Sequence, residues 1–133
     1  MTISKDIKFD CAHMLSDYEG KCSNLHGHTY HGIVTIKGDT ADRSCMLLDY
    51  NKIKEVVDKF DHAVIFSAPS FRSVAENELF DWVRKHGMRF VELRVGKSTA
   101  EILALTIADE FKCYGKVTVR LSETDGSWAE TQS

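Results

Sequence analysis

Lys5-Asp6-Ile7-Lys8-Phe9-Asp10-Cys11-Ala12-His13 alternates the apolar side chains Ile7, Phe9 and Cys11 with the charged Asp6, Lys8 and Asp10. A two-residue period of this kind belongs to a strand with one face in a core and the other in water. One further step of the period places His13 on the inward face. Residues 14–27 carry polar and glycine punctuation and read as a loop. A second strand is predicted from His28 to Lys37, where His28, Tyr30, Val34 and Ile36 share one side before Gly38-Asp39 turns the chain. The two strands form an antiparallel hairpin whose unusually long connection is a natural home for function.

Further along, Leu47-Leu48 reads as the end of a short strand. Asp49 is placed as the N-cap of a helix with an apolar stripe of Ile53, Val56, Val57 and Phe60, and Asp61-His62 lies just beyond it. Ser73 and Glu76 have capping-box spacing at the head of a helix over 73–86, which Gly87 terminates. Met88 to Val95 reads as a strand. Ser98, with Glu101 three residues on, opens another helix whose stripe is Ile102, Leu105, Ala108 and Phe111. The last predicted strand, Lys116 to Glu123, alternates Val117, Val119, Leu121 and Glu123 with Thr118, Arg120 and Ser122, so a carboxylate falls on the apolar face. Residues 126–133 form a polar tail with little specification apart from Trp128. This order predicts an α+β domain with a four-stranded antiparallel sheet, helices packed on one side, and an insert of one helix and one strand between the first and last main helices. The exposed edges and second face of such a sheet favour self-association.

A chain of 133 residues supports one hydrophobic core, so residues 1–133 are expected to form a single domain. Hydrophobic residues at 43% and charged residues at 28% are the profile of a soluble globular protein, and no apolar run approaches the roughly 18 to 20 residues of a membrane span. Met1-Thr2-Ile3-Ser4-Lys5-Asp6 does not read as a signal peptide, and a cytosolic location is expected. The formal charge of −3, with scattered basic residues, argues against a nucleic-acid surface while leaving room for a local basic pocket for a small anion. Cysteines 11, 22, 45 and 113 include no CxxC pair; no disulfide framework is expected, and most of these thiols read as core residues.

Three histidines and two thiols are concentrated between Phe9 and His28. His26-Gly27-His28 can aim two rings at one ion, with Gly27 permitting a turn or a close backbone approach, and His13 supplies a third ligand across the hairpin. A histidine triad with an open fourth position is a pattern of catalytic zinc, although an isolated HxH pair can also be turn or core histidines. Cys22, four residues before His26, lies at the rim of that site; it is either a proton-transfer thiol or a buried structural one. Cys11 and Cys113 read as structural. Asp61-His62 is either a carboxylate–imidazole relay or a pair of groups at a helix end. Glu123, if buried, requires N–H donors, which a substrate with two adjacent nitrogens would provide; the alternative is a strand end open to water. Glu101 serves as a cap and can also face a substrate.

These segments together resemble the 6-pyruvoyltetrahydropterin synthase family. The resemblance runs over residues 5 to 124 and rests on Phe9-Asp10-Cys11-Ala12-His13, Cys22-Ser23-Asn24-Leu25-His26-Gly27-His28-Thr29-Tyr30, Leu48-Asp49-Tyr50, Asp61-His62, Ser98-Thr99-Ala100-Glu101 and Glu123-Thr124. It implies that His13, His26 and His28 hold Zn2+, that Cys22 transfers protons, and that Asp61, His62 and Glu123 support a proton relay. It further implies that Glu123 anchors a pterin ring with Glu101 nearby. The Cys-x3-His-Gly-His spacing is more similar to the bacterial carboxy-forming branch than to the animal pyruvoyl-forming one. That branch implies 7,8-dihydroneopterin triphosphate as substrate and 6-carboxy-5,6,7,8-tetrahydropterin, acetaldehyde and triphosphate as products, a step toward 7-deazapurines and queuosine. The resemblance also implies the tunnelling fold, in which subunits join sheets into a barrel, trimers stack into a hexamer and active sites lie at subunit interfaces. The chain departs from the family pattern at Ser98, often proline, at Met14, often arginine, and at Ala63-Val64-Ile65-Phe66, where x-x-Leu-Asn usually follows Asp-His. The segment 67–97 is longer than in the shortest relatives.

Overall fold

A computed structural model describes residues 1–40 and 43–132. The predicted first strand extends to β1, Thr2–His13, and its inward series Ile7, Phe9, Cys11 and His13 is buried. It pairs antiparallel with β2, His26–Lys37, in an unbroken register from Thr2↔Lys37 to His13↔His26. The second strand therefore begins at His26, two residues earlier than read from the sequence. Tyr30, Val34 and Ile36 are buried as expected, and the Phe9 and Tyr30 rings stack with centroids 5.1 Å apart.

Helix α1, Tyr50–Asp58, starts at Asp49, whose side chain accepts a hydrogen bond from the Asn51 N–H at 2.9 Å. Its Ile53 and Val57 enter the core. Asp49→Ala removes that acceptor from an exposed helix end and is expected to cost about 1 kcal/mol of stability. Urea unfolding of the variant, with the midpoint read at constant slope, checks the figure. Leu47 and Leu48 are buried but not in a strand, contrary to expectation.

The sheet is the main correction. Among the described residues it has six strands, not four, and it is mixed, in the order β4 (Phe90–Glu92), β3 (Ala63–Phe66), β1, β2, β5 (Lys116–Thr124), β6 (Ser127–Glu130). Ala63–Phe66 forms β3, parallel to β1, and Phe90–Glu92 forms β4, parallel to β3. The strand read over 88–95 is thus reduced to three residues. β5, Lys116–Thr124, pairs antiparallel with β2, and β6, Ser127–Glu130, converts the expected tail into an edge strand after a turn at Gly126, where φ is +82°.

Helix α3, Ala100–Asp109, and α1 cover the face that carries Phe9, Tyr30, Val119 and Leu121. The helices do not all share that layer. Helix α2, Val74–Lys85, sends Phe80 onto Phe66 and Phe90, which alternate out of phase with the core-facing Ile65 and Val91. Burial in α3 also differs from the predicted stripe: Leu103, Ala104, Ile107 and Ala108 are buried, while Leu105 is exposed. The cap is Thr99, whose side chain accepts from the Ile102 N–H at 3.4 Å; the Ser98–Glu101 box does not form. Among the described residues no helix is long and apolar enough to cross a membrane.

Candidate metal centre

The register explains the histidine spacing. His13 lies opposite His26 and Cys11 opposite His28, and residues two apart on a strand share a face, so all three imidazoles project from one patch. Gly27 is a strand residue paired with Ala12, and a Cβ there would meet Cys11 O at 3.3 Å; of the two readings the close backbone approach holds and the turn does not, and the two-residue period aligns the rings. Ring centroids lie 4.6 Å apart for His13 and His26, 5.2 Å for His13 and His28, and 4.7 Å for His26 and His28. Glu123 joins them from β5: one ligand atom from each of the four residues falls within 4.8 Å of every other.

Two rings have their tautomer set by main-chain carbonyls. His13 Nδ1–H donates to Ser98 O at 2.5 Å and His26 Nδ1–H to Asn24 O at 2.6 Å. A neutral imidazole that donates from Nδ1 carries its lone pair on Nε2. The two Nε2 atoms stand 3.1 Å apart, lone pair toward lone pair, an arrangement that a cation between them relieves. Zinc–nitrogen distances of roughly 2.0–2.1 Å at tetrahedral angles put ligand nitrogens about 3.3 Å from one another, so the spacing suits zinc. His28 Nε2 is buried and lacks an aligned hydrogen-bond partner, although Glu123 Oε1 lies 2.7 Å away. The donor set therefore fits a divalent ion: three imidazoles with a carboxylate at their border.

Burial lowers the pKa of His13, despite its bond to Ser98, with His26 and His28 acting in the same direction. Burial also lowers His28, outweighing the upward pull of Glu123. Both rings are thus disposed to be neutral, as a ligand must be.

The thiols separate by environment. Cys11 is buried and its thiol is pushed up to about 12, first by desolvation and then by Asp10, Asp61 and Glu123, which suits a structural role. Cys45 and Cys113 are exposed, against the expectation that most thiols sit in the core. Cys22 is half-buried in a single 3-10 turn, Lys21–Ser23, which the bond from Leu15 N–H to Cys22 O at 2.8 Å ties to the end of β1.

Asp61 and His62 do touch, with His62 Nδ1 3.0 Å from Asp61 Oδ2. His62 occupies a left-handed conformation, φ +57°, held by its N–H donating to Asp10 O at 2.6 Å. Asp61 Oδ1 accepts the Asp10 N–H at 2.9 Å, and that bond is the main cause of its lowered pKa, with His62 adding to it. Both bonds go to the main chain of Asp10, and neither Asp61 nor His62 belongs to the cluster of three imidazoles and Glu123. Glu101 is exposed in the first turn of α3. The sequence reading missed the carbonyls of Ser98 and Asn24 that orient two rings. It placed Tyr30 inward but missed its buried hydroxyl, which has no hydrogen-bond partner among the described residues and whose pKa is raised by burial and by Glu123.

A family model described as 6-pyruvoyl tetrahydropterin synthase matches residues 2–133. The chain is 33% identical over 141 residues to 6-carboxy-5,6,7,8-tetrahydropterin synthase of Haemophilus influenzae, covering 98% of this chain and 97% of that one. It is 27% identical over 114 residues to the enzyme of the same name from Bacillus subtilis, covering 84% and 66%. Among solved structures, 6-pyruvoyl tetrahydropterin synthase of Caenorhabditis elegans shares the fold with a TM-score of 0.61 at 23% identity, covering 100% of this chain and 95% of that one. The Plasmodium vivax synthase gives 0.59 at 16% identity, covering 98% and 97%. Together with a histidine triad on paired strands, these matches establish that the chain belongs to the 6-pyruvoyl tetrahydropterin synthase family.

Proposed function

We propose that the chain is a single-domain, zinc-dependent 6-carboxytetrahydropterin synthase. It takes 7,8-dihydroneopterin triphosphate and water to 6-carboxy-5,6,7,8-tetrahydropterin, acetaldehyde and triphosphate, a step toward 7-deazapurines. The convergence of His13, His26 and His28 on one point carries this reading, and the match to the Haemophilus influenzae enzyme supports it over nearly the whole chain. A zinc ion held by these rings supplies Lewis-acid polarisation of side-chain oxygens. Cys22 moves protons at the adjacent carbons, and Glu123 binds N–H groups of the pterin ring beside the triad.

Asp61 and His62, which lie outside their own chain's cluster, serve as a relay to the triad of a neighbouring subunit. A small chain whose sheet ends in the edge strands β4 and β6 is suited to closing such a site by trimer or hexamer formation. The pyruvoyl-forming reaction uses the same groups without loss of two side-chain carbons. Incubation of the zinc-loaded protein with 7,8-dihydroneopterin triphosphate should release acetaldehyde in step with triphosphate. Triphosphate released with a pyruvoyl product and no acetaldehyde would overturn the carboxy assignment.

A further inference from the structure

Glu76 of α2 is 0% exposed, and its carboxyl oxygens hold two separate segments. Oε1 accepts the Ser67 N–H at 2.8 Å, and Oε2 accepts the Ser16 hydroxyl. A buried carboxyl group is costly unless such donors meet it, so its place in the fold depends on both. The spacing with Ser73 suggested a reciprocal cap, but only half of that box exists. Ser73 Oγ accepts the Glu76 N–H at 3.2 Å, while the Ser73 N–H goes to Ser16 Oγ at 3.0 Å and leaves the Glu76 side chain for the interior.

Each branch leads toward the metal centre. Ser67 Oγ accepts the Ser98 N–H at 3.1 Å, and Ser98 O accepts His13 Nδ1–H at 2.5 Å. Ser98 lies in the connection between β4 and α3, outside any strand ladder, so side-chain anchors such as Ser67 fix where its carbonyl points. A proline at 98 would have no N–H to give this link. On the other branch, Ser16 lies three residues beyond His13 at the start of the loop leading to Cys22, and its carbonyl accepts Lys97 Nζ at 2.9 Å.

We propose that Glu76 is a positioning residue for the metal centre: through Ser67 and Ser98 it fixes the ring of His13, and through Ser16 it fixes the start of the Cys22 loop. The role rests on the zinc reading given above. The acceptor on a ligand's second nitrogen sets that ring's direction and tautomer, and losing such a partner typically weakens metal binding by about ten-fold or more.

The test is zinc affinity by chelator competition, together with the His13 Nδ1 proton resonance in metal-free protein. Glu76→Ala and Ser67→Ala are each expected to weaken zinc binding about ten-fold. Both should also move that resonance upfield. The double variant should lose little more than either single one, because the two residues act in series. Glu76→Gln, which can still accept from Ser67 and pair with Ser16, should restore most of the affinity. If Glu76→Ala does not fold, Ser67→Ala decides alone, since it leaves the buried carboxyl and its bond to the Ser67 N–H in place. Wild-type zinc affinity and an unmoved resonance in folded variants would overturn the positioning role alone. Wild-type protein that takes up no zinc would overturn the metal reading with it.

Discussion

His28→Ala is expected to reduce zinc affinity roughly a hundred-fold and to bring turnover down with it. Four-ligand structural zinc sites bind with roughly 10–16 kcal/mol, so one ligand accounts for about 3 kcal/mol. Folding should survive, because β2 is held by an unbroken ladder to β1 and the replaced ring has no aligned hydrogen bond to lose. The pH dependence carries a sign as well. Metal and proton compete for the same lone pair, and burial holds His13 and His28 below the ordinary imidazole range. Proton competition at those two rings therefore sets in on the acid side of that range, and wild-type protein should retain zinc there. Titration with a chromophoric chelator at a series of pH values measures both effects. Stoichiometric zinc at wild-type affinity in His28→Ala would remove that ring from the site.

The sequence made the two central strands and the triad legible because one physical rule governs both. Alternation along β1 buries Ile7, Phe9 and Cys11, and the same step turns His13 inward; on β5 it buries Val117, Val119 and Leu121, while Glu123 joins the triad from a register shift between Ser122 and Thr124. The short outer strands obey no such rule. Ala63-Val64-Ile65-Phe66 is a continuous apolar run with no alternation, and its identity as β3 comes from parallel pairing to β1. Ser127–Glu130 has too little apolar character to announce β6, which exists because β5 offers it a partner.

Capping failed by one residue for a definable reason. Ser98 and Thr99 both offer a hydroxyl, but Ser98 is drawn into the interior, where its N–H and carbonyl serve Ser67 and His13, and Thr99 is left to cap α3. The stripe of α3 was ambiguous because Ile102-Leu103-Ala104-Leu105 is apolar on every side; the sheet chose Leu103 and Ala104. The separation of Asp61 and His62 from the triad was beyond sequence reasoning. Their bonds go to the main chain of Asp10, and nothing in adjacent residue numbers states which distant strand they will meet.

Cys22→Ala is expected to lower turnover by about 10²- to 10⁴-fold, the usual worth of a positioned proton-transfer group, while zinc content and the far-UV spectrum stay at wild-type values. The turn that carries Cys22 owes nothing in its hydrogen bonding to the thiol. Leu15 N–H donates to Cys22 O at 2.8 Å, Asn24 N–H to Lys21 O at 3.1 Å, and Ser23 Oγ to Gly20 O at 2.7 Å. Nor is the thiol in the imidazole cluster, which comprises His13, His26, His28 and Glu123. The other three cysteines cannot substitute by position: Cys11 is buried with its thiol pushed up to about 12, Cys45 is outside the sheet, and Cys113 follows α3. Steady-state turnover and metal analysis on one preparation separate the possibilities. Unchanged turnover would take Cys22 out of the mechanism. Joint loss of zinc and folded structure would make it a structural residue and favour a zinc-stabilised binding protein over an enzyme.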